Sequence, residues 1–211
     1  MSFWDERFAA EEYIFGTAPN AFLYDNIDTI KRLVPTGKVL CLGEGEGRNA
    51  VFLAKHGYEV TAVDLSEIGL RKAKKLAHSQ GVDLHTQVVD LATYDMPKGK
   101  FDIIVSIFVH LPLALRQRLH QQVIANLAPN GLYVLEAYTV HHLEFTQSGQ
   151  SVGGPKAAEM MMSLAELSHE LDGLTFMQAE ERLVMLDEGS AHRGQSAVVD
   201  TIARKTKNLY S

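Results

Sequence analysis

Residues 38–64 read KVLCLGEGEGRNAVFLAKHGYEVTAVD, and the fold follows from this stretch. Lys38–Leu42 is an apolar run entered through Pro35-Thr36-Gly37 and closed by Gly43, which predicts a strand buried on both faces. Gly43-Glu44-Gly45-Glu46-Gly47 then turns the chain, and residues 47–56 carry a short helical pattern stopped by Gly57. Tyr58–Val63, rich in β-branched residues, predicts a second strand that ends at Asp64. Short apolar runs alternating with helical patterns imply a parallel sheet.

The same alternation continues outward. Ser66 is placed to cap a helix that runs to about Gln80 and is ended by Gly81. Leu84–Val89, Phe101–Ser106 and Gly131–Tyr138 read as the third, fourth and fifth strands. A helix from about Leu113 to Leu127, with Pro112 at its start and Pro129-Asn130-Gly131 as its stop, separates the last two. After residue 139 a polar loop holding Gly149, Gly153, Gly154 and Pro155 leads to an amphipathic helix around Ser163–Leu171. Leu174–Leu186 and Gln195–Arg204, joined by the turn-rich 187–194 segment, read as an antiparallel hairpin, giving seven strands in all. Before the first strand lie two helical patterns, Ser2–Glu12 and Ala21–Val34, with Asn20 a candidate N-cap. In a doubly wound sheet ligands sit beyond the carboxyl ends of the strands, so this extension is expected to fold over the site as a lid.

At 211 residues, 46% apolar and 22% charged, the chain is expected to form one α/β domain, 1–211. Within it we read a helical lid segment (1–36), a binding core (37–139) and a terminal loop, helix and hairpin (140–211). A net charge of −6 disfavours nucleic acid and anionic membrane surfaces as partners. The one dense basic run, Arg71-Lys72-Ala73-Lys74-Lys75, reads as a solvated helix face. Cys41 is the only cysteine, so no intrachain disulfide forms and a reducing cytoplasm is the expected compartment. The N-terminal MSFWDERFAAEEY has no basic start followed by an apolar stretch, and no window is long enough for a membrane span. The oligomeric state is not legible.

The glycine turn carries the functional signal. Glycine lets a ligand approach the main chain closely, so strand, Gly-x-Gly-x-Gly and helix together indicate a nucleotide or nucleoside. Gly45-Glu46-Gly47-Arg48-Asn49-Ala50 also satisfies the dinucleotide pattern, with Asp64 at the spacing expected for an acid on a ribose. Electrostatics favours the nucleoside. At about 5 Å and an effective dielectric near 20, Glu44 or Glu46 would each cost a pyrophosphate roughly 3 kcal/mol. S-adenosylmethionine carries a sulfonium and an ammonium at that end and no phosphate. Asp64 can accept both ribose hydroxyls through its two oxygens. Asp90 can accept from the adenine amine while Leu91 packs on the ring.

These residues resemble the class I methyltransferases dependent on S-adenosylmethionine, and within them the small tellurite-resistance and thiopurine-type branch. The resemblance rests on VLCLGEGEGRNAVFLA (39–54), VTAVDLS (60–66), VVDL (88–91), FDIIVSIFVHLP (101–112), LAPNGLYVLEAY (127–138) and the earlier YIFGTAPN. It implies a Rossmann-like doubly wound sheet with strand order 3-2-1-4-5-7-6. It places Gly43, Gly45 and Gly47 along the methionine part of the cofactor and Asp64 and Leu65 at the ribose. Asp90 and Leu91 fall at adenine, and Ser106 at the end of the fourth strand. The acid that the family often has two residues before the first glycine is Cys41 here, and Glu44 is the acid nearest to replace it.

Methyl transfer is an in-line displacement that needs positioning and exclusion of water more than a base. If a base acts, His110, directly after the fourth strand, is the first candidate; the alternative is a packed histidine satisfied by a backbone carbonyl. Tyr138 is the second catalytic candidate, and Tyr13, Phe15, Arg48 and His192 are candidates to line the acceptor pocket. His141, His142 and Glu144 make a poor metal site, because adjacent histidines on an extended loop point apart. The expected function is methylation of a small molecule, with thiols or metalloid oxyanions suggested by the resemblance. A nicotinamide-dependent oxidoreductase and a non-catalytic binder of S-adenosylmethionine are the alternatives.

Overall fold

The computed structural model describes residues 2–206. In chain order the elements are α1 (Phe3–Phe8), α2 (Ala21–Asp25), α3 (Ile27–Leu33), β1 (Lys38–Leu42), α4 (Arg48–Lys55), β2 (Glu59–Asp64), α5 (Glu67–Ser79), β3 (His85–Val88), β4 (Phe101–Ile107) and α6 (Leu113–Asn126). There follow β5 (Leu127–Tyr138), α7 (His142–Gln147), β6 (Ser151–Val152), a 3-10 turn at Ala158–Met160, α8 (Leu164–Glu170), β7 (Thr175–Asp187) and β8 (Arg193–Arg204).

Strands β3-β2-β1-β4-β5 are parallel neighbours, β8 joins β5 antiparallel, and β7 pairs with the far side of β8. The seven strands anticipated from sequence therefore occur in the order 3-2-1-4-5-7-6, once the two-residue β6 is set aside. β6 pairs with Arg193 and Gly194 at the start of β8 and makes the sheet eight-stranded. Sequence gave no signal for it, because two residues cannot show a period.

Period-2 alternation divides the core between the two faces of the sheet. Val39 and Cys41 of β1, with Ile103 and Val105 of β4, pack under α2, α3 and α4 through Phe22, Ile30 and Leu53. Leu40 and Leu42, with Ile104, pack on the opposite face with Leu119 and Val123 of α6 and Leu167 of α8. Both faces are covered, which is why the central strands read as continuous apolar runs.

Several boundaries differ from the sequence reading. The first helix ends at Phe8, short of Glu12. The pattern over 21–34 is two helices meeting at Asn26, whose side-chain amide donates to the Phe22 carbonyl. β5 starts at Leu127, before the expected turn: Phe101 pairs with Leu127 and Ile103 with Leu132, so Pro129-Asn130-Gly131 is absorbed as an irregularity in the strand. Asn20 and Ser66 do cap their helices, accepting from the amides of Leu23 and Gly69.

The basic run on α5 is not uniformly solvated. Lys72 is largely buried: its ammonium donates to the carbonyls of Ala10 and Glu12, pairs with Glu46 and lies 4.9 Å from the centre of the Tyr13 ring. It fastens the segment after α1 to the glycine turn. A single lysine seen in a run of four cations gives no hint of this, because the partners are backbone carbonyls about 60 residues away.

Candidate functional site

The carboxyl ends of the parallel strands open into a cavity of about 620 Å³. Its walls are the turn after β1, Asp64-Leu65 after β2, Asp90-Leu91, the Ile107–Leu111 segment after β4, and Tyr138 at the end of β5. Residues of α1, with Phe15 and Gly16, lie across the mouth. The site thus sits where strand order reverses between β1 and β4, the usual crevice of an open α/β sheet.

Gly45 and Gly47 have different reasons to be glycine. Both are left-handed, at φ +62° and +95°. A Cβ on Gly45 would come within 3.0 Å of the Phe8 ring, so the glycine admits α1 over the turn. A Cβ on Gly47 would meet the Cβ of Ala73 at 2.5 Å, and Gly47 does not line the cavity. It allows α4 to close against α5, whereas Gly43 and Gly45 face the cavity.

The two acids of the turn are also divided. One oxygen of Glu44 accepts from the amides of Asn49 and Ala50 at 2.9 and 2.8 Å, capping α4, and the residue lines the cavity. Burial pushes its carboxyl up to about 7, against the pull of the Ala50 amide and Arg48. Burial, with the neighbouring Glu44, also pushes the Cys41 thiol well up. Glu46 is buried and paired with Lys72.

Asp64 is buried at the cavity wall, with Oδ2 accepting from Gly45 N at 2.8 Å and Oδ1 from Ser66 N at 2.7 Å. Each oxygen retains a further lone pair for a ligand hydroxyl. Burial raises its pKa. Ser66 in turn donates to Asp5 of α1 at 2.7 Å, linking the mouth of the cavity to this acid. Asp90 is exposed and accepts from Ala92 N, with Leu91 buried and Leu65 half-exposed on the same wall.

Two sequence candidates fall elsewhere. Ser106 is buried inside the sheet and does not line the cavity, because Val105 and Ile107 on the opposite face of β4 do. Tyr13 packs beside Val51 and Leu76, its hydroxyl donating to the Lys72 carbonyl, and is not part of the cavity wall.

The far end of the cavity is a group of rings. Phe108 and Tyr138 stack at 4.6 Å, His192 meets Phe108 edge-on at 4.5 Å, and Phe15 lies 4.5 Å from His192. His110 and His142 stack on Tyr138 at 5.5 and 3.9 Å. His110 Nδ1 bonds the Met160 carbonyl at 2.9 Å, so this nitrogen carries the proton, and Nε2 faces the Tyr138 amide at 3.4 Å. Burial, partly offset by the Met160 carbonyl, holds His110 down at about 4. Burial, reinforced by Glu188 and Glu136, pushes the Tyr138 phenol far above its ordinary value. His142 opens α7 and does not lie on an extended loop, and exposed His141 sits 3.2 Å from Glu144. No cluster able to hold a metal occurs among the described residues.

Beneath these rings runs a polar network that the sequence did not reveal. Arg48 pairs with Glu188 at 2.7 Å, and the Asn20 amide donates to Glu136 at 2.7 Å and to Glu188 at 3.0 Å. Glu188 and Glu136 are isolated acids in a turn and in an apolar strand, and no local spacing marks them. Phe108 was also missed: it is a bulky residue at φ +54°, a conformation costing about 1–2 kcal/mol for an L-residue. Trp4 and Phe8, one helical turn apart, line the mouth; their i, i+4 spacing in the N-terminal helix was the available signal.

Residues 39–131 match the family described as a methyltransferase domain. The sarcosine/dimethylglycine N-methyltransferase of Halorhodospira halochloris is 39% identical over 87 residues, 39% of this chain and 31% of that protein. The probable S-adenosyl-L-methionine-dependent methyltransferase TehB of Haemophilus influenzae is 31% identical over 87 residues, 41% of this chain and 30% of that protein. The chain thus spans about a third of the length of these curated relatives. A solved structure concerned with converting a disulfide bond into a thioacetal group during echinomycin biosynthesis superimposes with a TM-score of 0.74 at 18% identity, covering 98% of this chain and 92% of that one. At that identity the likeness speaks for the fold.

Proposed function

We propose that the chain, similar over residues 39–131 to a methyltransferase domain, is a class I methyltransferase that uses S-adenosylmethionine and methylates a small-molecule acceptor in the cavity at the strand ends. One observation carries this reading. Three acids that close consecutive strands, Glu44, Asp64 and Asp90, share the cavity with the glycine turn, while the cation of that turn, Arg48, is paired with Glu188. Those acceptors suit a diol and a cation and oppose a pyrophosphate.

In this reading Asp64 accepts from the ribose hydroxyls, Asp90 and Leu91 with Leu65 border the adenine, and Gly43, Glu44 and Gly45 follow the methionine part. The chemistry supplied by bound S-adenosylmethionine is a sulfonium methyl: a lone pair of the acceptor bonds the methyl carbon as the C–S electron pair returns to sulfur, leaving S-adenosylhomocysteine. The residues of the acceptor end orient and exclude water. His110, neutral at physiological pH with both nitrogens facing partners, and Tyr138, whose phenol stays protonated, are not poised to take a proton. That neither is poised as a base favours an acceptor already ionised near neutrality, a thiolate or an oxyanion.

Calorimetry with S-adenosylhomocysteine tests the reading. The parent protein binds, and Asp64→Ala loses about 2 kcal/mol, close to thirtyfold in affinity. Unchanged affinity in that variant, or binding of NAD in place of S-adenosylhomocysteine, overturns it.

A further inference from the structure

We propose that Arg48 and Tyr138, beside His192, form an anchoring subsite for an uncharged oxygen of the acceptor, such as a ketone or amide carbonyl, at the enclosed end of the cavity. This rests on the methyl-transfer reading and adds what holds the acceptor.

Three buried polar atoms at this end have no hydrogen-bond partner: Arg48 Nη1, the Tyr138 hydroxyl and His192 Nδ1, the last standing 3.9 Å from Glu188 Oε2. Their residues are 6%, 0% and 7% exposed, and all three line the cavity. Buried polar groups are nearly always paired, so orphans on residues gathered beside Glu188 and the Tyr138 ring mark a place where something else completes the bonding. Arg48 can only donate and Tyr138 donates readily, while a proton on His192 Nδ1 faces Glu188. The complementary ligand atom is an acceptor.

Charge decides which acceptor. Arg48 is neutralised by Glu188, and burial, outweighing the Glu188 carboxylate, lowers His192. The carboxyls of Glu188 and Glu136 both act on Tyr138. The end therefore offers donors without excess positive charge, which suits a carbonyl and gives no compensation for an oxyanion. Phe8, Phe15, Phe108, Leu111 and Met160 give the same cavity a large apolar lining. An inorganic oxyanion has no face to set against such a lining; an organic molecule with one polar end does.

The subsite is closed from above by the Gly153–Gly154 turn. A Cβ on Gly153 would lie 3.1 Å from the Tyr138 hydroxyl and 2.8 Å from the His192 ring, and one on Gly154 would lie 2.9 Å from Tyr138. Seating the oxygen displaces this turn.

The experiment uses the only tryptophan, Trp4, which lines the same cavity and reports occupancy by its fluorescence. The complex with S-adenosylhomocysteine is titrated with 4-acetylbenzenethiol and with 4-ethylbenzenethiol, which match in shape and differ by the carbonyl, and with tellurite. The expected result is about tenfold tighter binding of the acetyl compound, the worth of one added hydrogen bond. In Tyr138→Phe, which keeps the ring stacks, that preference falls to about threefold or less while S-adenosylhomocysteine binds as before. No preference on the parent, including no binding of either thiol, overturns the proposal. So does a preference that survives Tyr138→Phe in full, or displacement of the thiols by tellurite. Failure of the parent to bind S-adenosylhomocysteine would instead overturn the cofactor reading.

Discussion

Arg48 and Glu188 stand 140 residues apart in the chain, yet their side chains meet at 2.7 Å with both more than nine-tenths buried. The pair joins the helix after the glycine turn to the hairpin turn. Burial works to raise the Glu188 carboxyl, and His192, Arg48 and the Ala21 amide outweigh it, holding it at about 2. Glu188→Ala leaves a buried guanidinium uncompensated and is expected to cost about 3–5 kcal/mol in urea unfolding. Adding Arg48→Met recovers most of that loss. A single variant within about 1 kcal/mol of the parent would mean that the pair is solvated in solution.

Gly47→Ala is expected to destabilise by about 2–4 kcal/mol, the sum of a left-handed backbone and the collision with Ala73. Once the variant is folded at low temperature, its affinity for S-adenosylhomocysteine should change far less than its melting temperature. Gly45→Ala should show the opposite balance, because its Cβ meets Phe8 at the mouth. Thermal melts beside calorimetry separate the two.

Glu44 titrates near 7 in the folded protein against an ordinary 4.5. A carboxyl raised in this way stabilises the fold fully below about 4.5, and that contribution is lost as pH rises through about 7. A ligand cation at this acid favours its ionised form, so binding S-adenosylhomocysteine at pH 6 should release the better part of a proton. Binding enthalpies in buffers of differing ionisation heat measure this directly. Glu44→Gln should abolish the dependence, and an unchanged dependence in that variant would place the ammonium elsewhere.

Glu136 is pushed up to about 8, first by burial and then by Asp200 and Glu188. The protein should therefore lose stability as pH climbs between about 4.5 and 8, with no further loss from this group above that range. Glu136→Gln keeps an oxygen for the Asn20 amide and removes the charge. Its unfolding free energy should be flatter across the same window, and a parent-like slope would exclude Glu136 as the source.

The parallel core was legible because each of its strands is a local apolar run and each helix carries its own cap. The turn at Gly43–Gly47 and the place of Asp64 at a strand end were legible for the same reason, since adjacent residues fix both. Lys72, Glu188 and Glu136 were not, since each acquires its role from a partner far along the chain. Gly47 shows the limit of motif reading: its spacing suggests a ligand contact, and Ala73 on the next helix is what requires it. Ser106 shows another, because only the pleat of β4 decides which of three consecutive residues faces the cavity.

The strap from Ile14 to Asn20 takes its partners from the hairpin turn: Ala191 donates to the Ile14 carbonyl, and the Asn20 amide reaches Glu188, 168 residues later. During synthesis, then, this stretch leaves the ribosome 168 residues before the acid that holds it, and must wait for that acid before it can settle. The glycine turn and its helix can assemble meanwhile, but Phe15 finds its place over His192 only after the hairpin turn is made, so a nascent chain has the floor of the cavity before it has the strap across its mouth.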